Sequence, residues 1–319
     1  MTTTAQLSPG QARIVDPILS QHARGYRQAQ LVSRQLFPLA PVAAYGGKVI
    51  QFDKSSFRLV NTARAPGSAT KRIQFGYQGA PYAIVPNSLE GSVPRELMRD
   101  ASVVPGIDLA TRAVNTVMNV MTLGEEVACA NMARNAANFD ANHKLALSGT
   151  SLWSSATGTP ISDVQAGREA IRSTVGLYPN TAIISPKALK NCKENPQILD
   201  RIKYTGRDSV TTAILASLWE IPNVAVGAAV AADPVTDAFG DVWGPDVVLA
   251  YVAPSGGGDA SANAEEPSFA YTYHIEGMPM VEQPYWDPNT KSWVYPVTFD
   301  YTPVLSGMQA GFLIQGAGN

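Results

Sequence analysis

Three histidines and two cysteines are the first residues to weigh for chemistry. His22, His143 and His274 lie far apart, and none stands at metal-ligand spacing from another. Cys129 and Cys192 are too few for a structural zinc site. The opening "MTTTAQLSPGQ" has neither the basic nor the apolar region of an export signal, so two free thiols are expected rather than a disulfide. Gly46-Gly47-Lys48 suggests a phosphate loop. Such a loop needs glycine where Val42 stands and Ser or Thr where Val49 stands. "PSGGGD" (Pro254–Asp259) is glycine-rich, but no helix start follows it, and there is no G-x-S-x-G nucleophile elbow. Glu125 and Glu126 are adjacent, so on a helix they diverge by about 100°, whereas paired-carboxylate catalysis needs convergence. No catalytic residue, cofactor or metal site is expected.

What remains is charge. The net charge of −2 conceals a division along the chain. Residues 1–207 carry +10, residues 208–290 carry −12 without a single Lys or Arg, and the remainder sums to zero. Either the two parts fold against each other, or the basic part of one copy meets the acidic part of another; complementary potentials select partners and speed association. With 319 residues, 45% hydrophobic and 16% charged, the chain can bury a sizeable core. No run of about 18 apolar residues is present to span a membrane.

The elements that carry these charges change in character along the sequence. Residues 1–44 read as an arm, with short helical patterns at Ile14–Leu19 and Leu31–Phe37. "FPLAPV" (Phe37–Val42) then imposes an extended chain. "KVIQF" (Lys48–Phe52) and "RIQFGYQ" (Arg72–Gln78) alternate as strands around the turn-rich "NTARAPGSAT" (Asn61–Thr70). This is a long hairpin whose Lys48, Lys54, Arg58, Arg64, Lys71 and Arg72 face only Asp53. It is too polar to be core and too isolated to stand alone.

A helix begins at Asp108, whose carboxylate suits the positive end of the helix dipole. Its expected apolar stripe is Ala110, Val114, Val117, Met121, Ala128 and Met132, widened by Met118, Val120, Leu123 and Val127. Glu125 and Glu126 belong to the polar remainder, and Gly124 is a candidate kink.

After the glycine-containing link Leu145–Val164, residues 161–254 alternate helix and strand as a compact α/β unit. "ISDVQAGREAIRSTV" stops at Gly176, "NTAIIS" is a buried strand, and Ser185 with Pro186 opens "PKALKNC". From Pro267 onward every segment alternates as strand, with "DPNT" (Asp287–Thr290) as a turn.

This order of parts resembles the major capsid proteins of tailed bacteriophages, the fold named for phage Hong Kong 97. "ALSGTSLW" is similar to that family's glycine-containing link, "YPNTAIISPKALKNC" to its strand and proline-initiated helix, and "SLWEIPNVAVG" to its next strand entry. "RAPG" (Arg64–Gly67) resembles the turn at its hairpin tip. The resemblance implies an α+β fold with five parts. Residues 1–44 are an N-terminal arm, 45–90 an extended β-hairpin loop, and 91–160 a peripheral domain with a long spine helix. Residues 161–264 are a compact α/β axial domain, and 265–319 are strands that close the peripheral domain.

The same resemblance implies a shell of pentamers and hexamers of this chain, built in the bacterial cytoplasm and ending in the virion around packaged DNA. A portal protein and a possible decoration protein join it. Only about 44 residues precede the hairpin, so a separate scaffolding protein is implied. Lys48, Lys54 and Lys71 are available for the crosslink some members make, but it is not expected here.

Encapsulins and gene-transfer-agent capsids share this fold and are the nearest alternatives. An enzyme would need a site in 161–264, which lacks His and a phosphate loop. The basic hairpin as a nucleic-acid module lacks a recognised motif. For the shell, the candidate interface is the hairpin itself: Arg58, Arg64, Lys71 and Arg72, with Pro66 and Gly67 at the turn. Reversing those four charges is expected to change assembly and its dependence on salt; an unchanged salt titration of assembly would dismiss the contact.

Overall fold

The computed structural model describes residues 31–48, 81–101, 108–203, 209–233, 236–254 and 268–319, with isolated positions 16, 19, 20, 23, 63 and 266. A short helix α1 (Ser33–Leu36) leads into β1 (Leu39–Val42). The strands β2 (Gly46–Lys48) and β3 (Pro81–Ala83) pair antiparallel, Gly47 opposite Tyr82. They flank the span of the expected hairpin, whose predicted strands beyond Lys48, and whose tip apart from Ala63, lie outside the described residues. Next come β4 (Ser88–Pro94), α2 (Arg95–Ala101) and the long α3 (Leu109–Arg134).

Asp108 caps α3 as its chemistry predicts, accepting from the N–H groups of Ala110 and Thr111. The helix runs unbroken through Gly124, and its 26 residues span about 39 Å.

After α3, β5 (Lys144–Ala146) precedes α4 (Pro160–Val175), which stops at Gly176 in the left-handed conformation. Strand β6 (Thr181–Ile184) passes to α5 (Pro186–Glu194), capped by the Ser185 hydroxyl accepting from Ala188 N–H. Then follow α6 (Pro196–Ile202), α7 (Thr212–Trp219), β7 (Asn223–Val226), the pair β8 (Val230–Ala232) and β9 (Phe239–Asp241), and β10 (Val247–Ala250). The remaining strands are β11 (Ala270–Ile275), β12 (Met280–Val281), β13 (Tyr285–Asp287), β14 (Ser292–Thr298), β15 (Tyr301–Leu305) and β16 (Gly311–Gln315). The Asp287–Thr290 turn forms as expected between β13 and β14, with Asp287 accepting from Asn289 N–H.

The central sheet has the order β5-β16-β10-β6-β7. Its strands β6, β7 and β10 follow the expected alternation over 161–254, but the edge strand β5 and its inner neighbour β16 come from outside that stretch, from spans expected to belong to the peripheral part. The inner strands β16, β10 and β6 are buried on both faces and are almost wholly apolar. Ile183, Val248 and Leu313 face one core, which includes Cys129, Ala130 and Ala133 of α3. Ala182, Ile184, Val247, Leu249, Phe312 and Ile314 face the other, beneath α4 to α7.

A second sheet joins β12 and β13 to one side of β14 and β4 to the other. Against it lies the first half of α3, through Val114, Val117, Met118 and Met121. One helix therefore serves two cores. The third sheet, β1-β11-β15, holds the N-terminal segment. Proline-containing β1 is its parallel edge strand, where a missing N–H is tolerated. Leu36, Phe37 and Ala40 are fully buried, so this part of the expected arm is tied to the body.

Gly227, just after β7, is fixed by close approach. A Cβ there would stand 2.3 Å from the Trp243 ring. Gly227→Ala is expected to displace this buried tryptophan and lower subunit stability by about 1–3 kcal/mol, as read from equilibrium denaturation; a loss below the error of that measurement would contradict the packing.

Candidate functional site

The residues with chemical potential are dispersed. Cys129 and Cys192 are free, as expected; both are also buried, and burial pushes both thiols above their ordinary pKa. His143 is buried between Asp140 and the Thr174 hydroxyl, at 2.8 and 3.1 Å. His274 is held below the ordinary histidine pKa by burial; His22 lies outside the described residues. Among the described residues no group of His, Cys, Asp or Glu could hold a metal ion. No helix among them is long and apolar enough to cross a membrane.

The expected stripe of α3 holds through Met121 and then turns. Val120 is exposed, Ala128 and Met132 are only partly covered, and Thr122, Glu125, Glu126, Cys129, Ala130 and Ala133 face inward. The assignment of Glu125 and Glu126 to the polar side is corrected accordingly: both are essentially without solvent exposure.

The reason is their partners. Glu126 Oε1 accepts from Val32 N–H at 3.1 Å and from Trp243 Nε1–H at 2.6 Å, and Oε2 accepts from Ser33 N–H at 2.8 Å. Beside it, Arg34 donates through both Nε and a terminal nitrogen to Glu125, at 3.3 and 2.9 Å. A fork of this kind on a carboxylate is directional as well as strong. Trp243 itself sits in the turn between β9 and β10. Further along α3, Arg134 donates to Asp246 at 2.8 Å and to the Val242 carbonyl at 3.0 Å, while Asp246 also accepts from Gly316 N–H. α3 therefore anchors the N-terminal segment at one point and the central sheet at another. Local periodicity cannot report such partners. The one signal was two acids set among Leu123, Val127, Cys129 and Ala130, with little polar surface around them.

The predicted interface residues Arg58, Arg64, Pro66, Gly67, Lys71 and Arg72 all lie outside the described residues. Elsewhere the surface carries exposed apolar side chains. Leu89, Leu97 and Val120 line a groove between β4 and the start of α3, and Phe239 projects from β9. Exposed apolar patches of this kind mark contacts with other chains.

No known protein-family profile matches the chain. The major capsid protein of Burkholderia phage BcepMu is 34% identical to it over 304 residues, covering 95% of this chain and 97% of that protein. This chain belongs to the phage major capsid proteins. The capsid protein is also 56% identical to a phage-related protein of Bordetella bronchiseptica of known crystal structure. That match has a TM-score of 0.83 and covers 97% of this chain and 99% of the other. The subunit of the mature capsid of bacteriophage PhiM1 shares its fold at 12% identity, with a TM-score of 0.50 over 91% of this chain and 88% of that one. The expected mixed helix-and-sheet capsid fold is thus present. A curated phage relative of nearly full length favours the phage shell over the cargo-holding alternative.

The capsid protein holds its N-terminal segment through Glu126, and the substitution Glu126→Gln tests that hold. Three donors converge on the carboxylate, and an amide offers one acceptor oxygen and turns its NH₂ against a donor. The expected cost is about 2–4 kcal/mol, read by denaturation of the unassembled subunit, with earlier proteolytic release of the segment before residue 36. A cost under about 0.5 kcal/mol would show that the network does not hold the segment.

Proposed function

We propose that copies of this capsid protein close into an icosahedral shell of pentamers and hexamers around the double-stranded DNA of a tailed phage. The carrying observation is the near full-length relation to a phage major capsid protein. In this reading α3 is the spine of a peripheral domain that includes the β4–β14 sheet. Residues 161–264, with α4 to α7 and the strands β6, β7 and β10, are the axial domain, which faces the symmetry axes. The span 45–90 is the extended loop laid on a neighbouring subunit, and the residues before it are the arm. The described geometry supports these roles in two respects. A single helix contributes to two cores, as a stiffening spine would. The base of the 45–90 span is a two-stranded ribbon outside all three larger sheets, suited to projection.

Heterologous contacts between unlike edges close into rings when their rotation allows, and the charge division of the chain supplies unlike edges. A separate scaffolding protein and a portal complete the proposed set of partners. Assembly takes place in the host cytoplasm, and the finished shell is part of the virion.

The test is co-expression with a co-encoded scaffolding candidate, followed by electron microscopy. Hollow shells of uniform diameter are expected. Small soluble species alone, at every salt concentration and with every co-encoded partner, would overturn the reading.

A further inference from the structure

The pair β8 and β9 stands outside the larger sheets and hydrogen-bonds only to itself among the described strands. A two-stranded hairpin is marginal in water unless one face is covered. Here the outer side chains are apolar: Phe239 is 80% exposed and Val230 45%. Beside them Asp237 is exposed, with a left-handed φ of 53°. Asp241 closes the strand and accepts from Lys187 Nζ at 2.9 Å. No Lys or Arg occurs between residues 208 and 290, so the hairpin must take its cations from elsewhere.

Lys187 is the first of a row. On α5, Lys187, Lys190 and Lys193 follow at three-residue spacing, all exposed, while Ala188 and Cys192 are buried on the other side. Lys187 is engaged by Asp241 of its own chain; Lys190 and Lys193 make no ion pair among the described residues. Leu199, on the following helix α6, is also exposed. The two features share one end of the central sheet. Helix α5 leaves the end of β6 at Ser185, the hairpin leaves the end of β7 after Val226, and β6 and β7 are parallel neighbours. An acidic, aromatic lip and a basic helix therefore flank the same end of each copy. The Lys187–Asp241 pair shows that the two are chemically suited to each other.

We propose that the β8–β9 hairpin of one copy docks on the exposed face of α5 of the next copy. This inference rests on the shell reading and names a contact within it. Asp237 lies against Lys190 and Lys193, and Phe239 covers the apolar stems of those lysines, which bury readily while their charged heads stay in water. The contact is heterologous, so each copy gives one edge and receives the other, as ring closure requires. Exposed charge pairs of this kind are individually weak and screened by salt; repetition around a ring multiplies them.

The experiment uses the full chain with its assembly partner. It compares wild type, Asp237→Gly, Phe239→Ser, Lys190→Glu with Lys193→Glu, and the charge swap Asp237→Lys with Lys190→Glu and Lys193→Glu. Shell yield is read by sedimentation and electron microscopy, and subunit folding by thermal melting. Glycine relaxes the left-handed backbone at position 237, so a loss with that variant reports the missing charge and not strain. Each of the first three variants is expected to lower shell yield about tenfold near physiological salt, equivalent to about 1.4 kcal/mol, with an unchanged melt. The swap is expected to restore yield. Wild-type yield from all of the first three variants, or a swap that restores nothing while every variant melts as wild type, would overturn the docking and leave the shell reading intact. Failure of the wild type itself to form shells would remove both.

Discussion

The carboxylate of Glu126 is the point on which the N-terminal half of the subunit depends. It is buried, and it accepts three N–H groups from two distant parts of the chain. A buried carboxylate without partners is costly, so delivering those donors stabilises the native arrangement over any that leaves them elsewhere. Two of them are backbone groups at the entrance to α1, and delivering them places Leu36 and Phe37 in the core. Phe37 then packs edge-on to Phe269 with ring centroids 6.0 Å apart. The third is the indole of Trp243, whose position in turn requires the missing Cβ of Gly227. A single charge thus coordinates the N-terminal segment, α3 and the turn ahead of β10.

The rest of α3 works by apolar contact, and the division is instructive. Its first half packs on the β4–β14 sheet like an ordinary amphipathic helix, with a broad exposed side. Its second half is covered from two directions, by the N-terminal segment and by the central sheet. The polar residues that this covering buries must be satisfied internally. Glu125, Glu126 and Arg134 are satisfied by Arg34, by the N–H donors and by Asp246.

Much of this was legible in the sequence because it is local. The Asp108 and Ser185 caps, the Gly176 stop and the strands at 181–184, 223–226 and 247–250 follow from neighbouring residue types, and the structure has them in place. The order of elements was enough to suggest the capsid fold. What was not legible is long-range. The inward turn of α3 after Met121 depends on donors more than 90 residues away. The membership of β5 and β16 in the central sheet depends on pairings that no local pattern encodes. The exposure of Phe239 is hidden for a related reason, since an apolar residue in a short strand reads as core until its neighbours are known. The candidate interface in the 45–90 span was read from charge alone, and its basic residues beyond Lys48 lie outside the described part of the chain.

The place of β16 carries a temporal consequence. It lies between β5 and β10, so the central sheet remains split in two until it is inserted. Of the five strands it is the last to be synthesised, and it brings Phe312, Leu313 and Ile314 into both cores at once. A nascent chain therefore holds an open slot in its main sheet until translation has passed residue 315. Prematurely terminated products carry the same slot permanently. Such fragments leave both cores short of Phe312, Leu313 and Ile314, so the order of synthesis makes completion of the main sheet the last step in building the subunit.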